Sequence, residues 1–153
     1  MDQDSSLRDG GAVRIDLALL GDYASVDKMD KLSVAGIFTS IIAHQVPCQH
    51  PTLFLALTMT VESGDDPHHD IAVRLIDPDG HQIIPELKGE LDVQRSDLAQ
   101  SSTLNLILQI NGVTFQTFGT HCFDIFVDDR FTERVPLELV HAKLDTVDPI
   151  VGL

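Results

Sequence analysis

The chain has 153 residues, of which 43% are hydrophobic, and its 10 basic and 24 acidic side chains leave a net charge of −14. That length suits one domain with a complete core, and that apolar content argues against disorder. The charge repels phosphate backbones and anionic lipid, so nucleic-acid and membrane-surface roles are disfavoured.

Residues 1–12, beginning MDQDSSLRDGG, read as a flexible acidic tail. They have neither the basic nor the apolar region of a signal peptide, and no apolar run in the chain approaches the ~18 residues of a spanning helix. Cys48 and Cys122 are too few for a disulfide framework. A cytoplasmic protein with both thiols reduced is therefore expected. A single domain is expected over 13–145, with a C-terminal tail at 146–153.

From Val13 onward a two-residue rhythm predicts strands. The first two are expected at 13–20 and 31–42. Next comes HQVPCQHP, residues 44–51, with two histidines and a cysteine around two prolines. Proline demands extended backbone and interrupts a strand, so this stretch reads first as a loop joining two sheets. Leu53, Leu55, Leu57, Met59 and Val61 then alternate along a strand at 53–62. One apolar stripe implies a sheet covered on one face. Strands follow at 70–77 and at 81–93, the latter broken near Pro85 and Gly89, with the turn DPDG between them at 77–80. Asp97–Ser102 has room for one helical turn. The last strands are 104–110, with Leu104, Leu106, Leu108 and Ile110 in phase, 120–128 and 132–140, the final pair joined by a tight hairpin at VDDRF, 127–131. About eight short strands with regular turns make an all-β chain, an antiparallel β-sandwich.

The stretch LQINGVTFQTFGTHCFDIFV, 108–127, resembles the corner at which a strand of an immunoglobulin-like fold crosses to the opposite sheet. The matching positions are Leu108, Ile110, Val113, Thr117, Gly119 and His121, with histidine where the corner has tyrosine, and Phe123 where a disulfide cysteine would stand. The resemblance implies a Greek-key sandwich, immunoglobulin-like or C2-like, in which His121 ties itself to the main chain upstream. The alternative at Asn111–Gly112 is a two-residue hairpin turn.

More of the chain is similar to an uncharacterised bacterial family, a domain of unknown function. The residues that carry this are Leu20, Asp22, Tyr23 and Ala24; Lys31, Leu32, Gly36, Ile37 and Phe38; Pro47, His50 and Pro51; the whole of DPDG; and Gly119, Phe123, Ile125, Val127 and Asp128. Asp30 stands where the family has glycine, and His121 where it has tyrosine. The resemblance implies a bacterial sandwich domain and transfers no catalytic residue.

Antiparallel strands send alternate loops to opposite poles. One pole would gather the loops 21–30, 62–70, 94–103 and 128–131, with carboxylates that include Asp22, Asp27, Asp30, Glu62, Asp65, Asp66, Asp70, Asp97, Asp128 and Asp129. Calcium takes six to eight oxygens, yet no dense acidic loop spacing is present and His68 and His69 are poor calcium ligands. The other pole would gather His44, Cys48, His50, His81 and His121, a set with the N and S donors of a transition-metal site if they converge. Cys122 beside His121 suggests a thiol–imidazole pair, but neighbours on a strand face opposite ways. No G-x-S-x-G, H-E-x-x-H or P-loop occurs.

The leading expectation is a non-catalytic binding or assembly module that needs no cofactor. It would meet a protein partner or a second copy of itself through a sheet face or an edge strand. Ile107, Phe126 and Val140 point away from the apolar stripes and are the candidate interface. The alternatives are a transition-metal protein using the histidine and cysteine pole, and an enzyme whose site assembles only in space.

Overall fold

The computed structural model describes residues 13–64, 66–93 and 101–143. The tails expected at 1–12 and 146–153, Asp65, Asp97 and most of the helical turn expected after it lie outside the described residues. Nine strands run in order: β1 Val13–Val26, β2 Leu32–Ile37, β3 Ser40–Ala43, β4 Cys48–Val61, β5 His68–Ile76, β6 Leu87–Asp92, β7 Ser102–Phe115, β8 Gly119–Val127 and β9 Arg130–His141. They form a four-stranded sheet, β2-β1-β4-β7, and a five-stranded sheet, β3-β9-β8-β5-β6. All pairs are antiparallel except β3 and β9.

The alternating stripes become the inner faces of these sheets. On β4, Leu53, Leu55, Leu57 and Met59 have no solvent exposure. They meet Ile71, Val73 and Leu75 of β5, Phe123 and Ile125 of β8, and Leu137 and Leu139 of β9 in one core. Burying each large aliphatic side chain stabilises the fold by about 1.5–3 kcal/mol. The β7 stripe lies in register with that of β4, Leu104 opposite Met59 and Ile110 opposite Leu53. It sits on an edge strand, so Leu104, Leu106 and Leu108 are only half-buried.

The chain changes sheet between β2 and β3, β3 and β4, β4 and β5, β6 and β7, and β7 and β8. With β4 and β7 in one layer and β5, β8 and β9 in the other, the connectivity is that of the immunoglobulin-like Greek key. Asn111–Gly112 is no hairpin. Strand β7 runs through it to Phe115, and β8 begins in the other sheet, as the corner reading requires. HQVPCQHP joins β3 to β4 across the sheets, although its second half, from Cys48, already belongs to β4.

Two expected strands differ. The single strand expected at 31–42 is β2 and β3, broken at Phe38–Thr39 where the chain crosses between sheets. In 81–93 only Leu87–Asp92 is a strand; Gln82 makes an isolated bridge to Ile76. Asp128 and Asp129, with φ of 50° and 66°, form the tight turn of the expected VDDRF hairpin.

The β1–β2 hairpin does not project to a pole. Beyond Gly21 it folds back over the outer face of its own sheet. Ala24, Leu32 and Val34 cover Phe54 and Ala56 of β4 and Ile107 of β7 in a second, small apolar cluster. At the tip, Asp30 accepts a hydrogen bond through its carbonyl from Asn105 Nδ2 of β7 (2.9 Å), and Tyr23 lies edge-on to Phe54 with ring centroids 5.4 Å apart. Asp27 Oδ1 accepts the amides of Met29 and Lys31 and shapes the turn. The fold-back needs close backbone approach at Gly21, where a Cβ would lie 2.5 Å from Val34 Cγ1 and 3.1 Å from the Ala35 carbonyl oxygen.

Gly21→Ala should therefore destabilise the fold by about 1–3 kcal/mol in urea unfolding, as overpacking does. Gly89→Ala, where a Cβ meets nothing within 4 Å, should change stability far less. The chain has one tyrosine and no tryptophan, so near-ultraviolet tyrosine ellipticity reports the Tyr23–Phe54 contact directly and should fall in the first variant alone.

Candidate functional site

Because β2 ends at Ile37, where the chain crosses to the other sheet, one flank of the described sandwich is left open. Strand β2 pairs with β1 only from Gly21 to Val26, so among the described residues Val13–Leu20 has a strand neighbour on the β4 side alone. Strand β3 pairs with β9 only from Glu138 to His141, so the preceding part of β9 is likewise unpaired on that flank. Between these two edges runs a groove of about 410 Å³. Its apolar lining includes Ile15, Ala18, Phe38, Val135 and Pro136, together with Ile37, the last residue of β2, which is 57% exposed.

The polar residues of the groove are Asp16, Glu133, Arg134 and Glu138, with Thr39. Asp16 accepts from the Thr60 hydroxyl at 2.5 Å and from Arg14 Nε at 2.6 Å. The hydroxyl first, and then the guanidinium, hold its carboxyl below the usual carboxylate range. Arg134 forks onto Asp124 of β8 at 2.7 and 3.0 Å. Its positive charge is thereby matched within the outer face of the five-stranded sheet. Glu138 accepts from Thr120 Oγ1. Among the described residues its lining holds no histidine or cysteine. It is an apolar groove with carboxylates along its rim.

The residues expected to ligate a transition metal share a pole but have no common point. His44 is exposed, and its carbonyl accepts from His141 Nε2 at 3.0 Å. Cys48 packs half-buried against the core, and His50 lies 6.0 Å from the Phe38 ring. His121 is fully buried, edge-on to Phe115 at 4.9 Å. Its Nδ1 is 3.1 Å from the Gly119 carbonyl, which can only accept, so Nδ1 carries the proton. This is the upstream main-chain tie expected of a corner residue. Among the described residues no three of His44, Cys48, His50, His81 and His121 bring ligand atoms within 4.8 Å of one another. His81 instead approaches Asp77 and Asp79, and His68 approaches Asp70 and Glu90. The first of these groups is visible in the sequence as D-x-D-x-H at 77–81, a spacing that the turn reading of DPDG passes over. Asp77 Oδ1 already accepts the amides of His81 (2.8 Å) and Asp79 (2.9 Å). These bonds, the His81 amide foremost, depress its pKa.

Residues 66–67 and 128–129 lie at the pole where β5 begins and β8 ends, with Ile71 opposite Val127, and the 21–30 hairpin does not join them. Several carboxylates there are engaged with backbone. Asp66 Oδ1 accepts the His68 amide. Asp128 accepts the Asp70 amide at 2.9 Å and His69 Nδ1 at 2.7 Å, and so pins the β8–β9 hairpin onto β5. His68 sits between Asp92 (2.9 Å) and Asp70 (3.2 Å), and the Asp92 bond foremost raises its pKa.

The expected interface of Ile107, Phe126 and Val140 does not form one patch. Ile107 lies on the four-stranded sheet, partly buried under the folded-back hairpin. Phe126 lies on the five-stranded sheet beneath the Arg74 guanidinium, 4.4 Å from the ring centroid. Val140 is near the far end of β9, opposite Ile42 of β3. Strict alternation places all three outward but does not say that they belong to different sheets and different ends. Cys122 and His121 face opposite ways: the imidazole is in the core, and the half-buried thiol has its pKa raised by burial.

These features define a Greek-key β-sandwich with an open lateral groove. The chain belongs to a family of unknown function, DUF6941, which matches residues 16–140. No curated protein matches the sequence. Among solved structures, an alkylpurine DNA glycosylase from Pseudomonas fluorescens bound to DNA is 12% identical, with a TM-score of 0.45 over 84% of this chain. The chain spans only 30% of the glycosylase's length. An immunoglobulin-like protein from Pseudomonas aeruginosa is 12% identical, with a TM-score of 0.37 over 83% of this chain and 95% of its own.

The Asp128 clamp gives a pH prediction. Burial works to raise its pKa, but the bonds from His69 and the Asp70 amide outweigh it and leave the carboxyl below its ordinary value of 3.8. A folded-state pKa below the unfolded one stabilises at higher pH, and that contribution is lost as pH falls from roughly 5 through the carboxylate range. Asp128→Asn should cost about 1 kcal/mol at neutral pH, a modest figure because the carboxylate is half exposed to solvent. Thermal unfolding from pH 7 to pH 3 should show the variant and the wild type converging in acid.

Proposed function

We propose that this chain is a non-catalytic binding module whose protein–protein contacts run through the groove between β1 and β9. The observation that supports this best is the pairing of an apolar groove of about 410 Å³ with a stretch of β1 that, among the described residues, has no strand neighbour on that side. Exposed edge backbone is a template for another chain, and an adjacent groove gives alternate side chains of that chain a place to lodge. The groove volume is that of an ordinary ligand cleft, large enough for a few aliphatic side chains.

A photo-crosslinking amino acid tests the reading in cells. At Ile37, on the groove, it should give discrete protein adducts. At Ile42, which is 69% exposed on the outer face of β3, it should give none above background. Adducts from Ile42 and none from Ile37 would move the binding surface to the five-stranded sheet. Sedimentation of the purified protein at micromolar concentration tells whether a second copy is the partner: a homodimer that Ala18→Arg returns to monomer places it in the groove.

A further inference from the structure

The two lips of the groove are not equivalent. On β9, the Glu138 amide donates to the Thr39 carbonyl, so the backbone groups of Glu138 point to the open flank. Pro136, two residues earlier, points the same way, and proline has no N–H to offer there. A proline on an edge is a common guard against strand addition. On β1, the Leu20 carbonyl accepts from the Phe38 amide across the same flank. By the same two-residue rule Ala18 directs both its N–H and its C=O outward, with no strand beyond it among the described residues. The β1 lip can therefore accept a strand where the β9 lip is blocked. A bulge between Ile15 and Leu17 limits the open ladder to about five residues.

The charge of the groove is one-sided. Among the four charged residues described in its lining, Asp16 is paired with Arg14 and Arg134 with Asp124, which leaves the carboxylates of Glu133 and Glu138 without a cation. The whole chain carries −14. A field of that sign favours cationic partners and disfavours a second copy of itself.

We propose that the groove takes an extended segment of a basic partner protein, which adds as a short strand to β1 at Ala18, places alternate aliphatic side chains between Ala18, Phe38 and Val135, and sets Lys or Arg against Glu133 and Glu138. This rests on the groove being the binding surface and specifies its occupant. Main-chain bonds to Ala18 supply affinity with little sequence demand, while the rim selects charge.

Selection from a random twelve-residue peptide library on the immobilised full chain tests it. The enriched peptides should alternate aliphatic residues with Lys or Arg, and the tightest, synthesised with a fluorophore, should be measured by anisotropy. Ala18→Pro, which removes an outward-facing N–H from an edge, should weaken that peptide at least tenfold. Glu133→Lys with Glu138→Lys should weaken it about fivefold and flatten its salt dependence. N-methylation of alternate amides in the peptide should abolish binding, and this arm leaves the protein untouched should a variant fail to fold. Enriched peptides that are acidic or uncharged, yet lost on Ala18→Pro, would overturn the basic occupant and leave the groove as the binding surface. Peptides that bind the variants as well as the wild type, or a library with no enrichment, would overturn both.

Discussion

Leu53, Leu55, Leu57 and Met59, four side chains of β4 with no solvent contact, hold the two sheets face to face. Strand β4 has neighbours on both sides along most of its length, so its inner face is covered by its own sheet as well as by β5 and β8. The strands that flank it bury less: the β7 stripe is half covered, and Ile15 and Ala18 of β1 are only partly buried against the core. Aliphatic mass is concentrated on the β4 axis and thins toward the β1 and β9 flank. The groove lies where that thinning meets two edges without strand partners.

How the flank comes to be open depends on where β2 stops. Its register spends all of Leu32–Ile37 on Gly21–Val26, and at Phe38–Thr39 the chain leaves for the other sheet, so β2 never reaches the first half of β1. The paired half of β1 bends away at Gly21 and covers Phe54, Ala56 and Ile107 on the outer face.

The layered architecture was legible because it follows from period two: every inward stripe read on the chain lies on an inner face. The sheet-crossing corner from Leu108 to Phe123 was legible through its resemblance to the immunoglobulin-like corner. The turns at DPDG and VDDRF were legible through their residue chemistry. What alternation cannot express is which sheet a strand joins. Residues 31–42 read as one strand because the sheet change at Phe38–Thr39 leaves no compositional mark. Ile107 reads as exposed because its cover comes from a hairpin some eighty residues earlier. The groove was not legible at all, since it is made of pairings that do not occur. For the histidines the poles were readable, but ligation is decided within a few ångströms. His121 turns into the core to hold the Gly119 carbonyl, while His81 stays outside with Asp77.

The register also fixes how the body is threaded. Val13 enters beside Val61, at the end where β4 finishes, and His141 leaves beside Ala43, close to where β4 starts. Entry and exit therefore sit a full strand length apart rather than side by side. Segments leaving directly from Val13 and His141 would depart from opposite poles, with the groove on the flank between them.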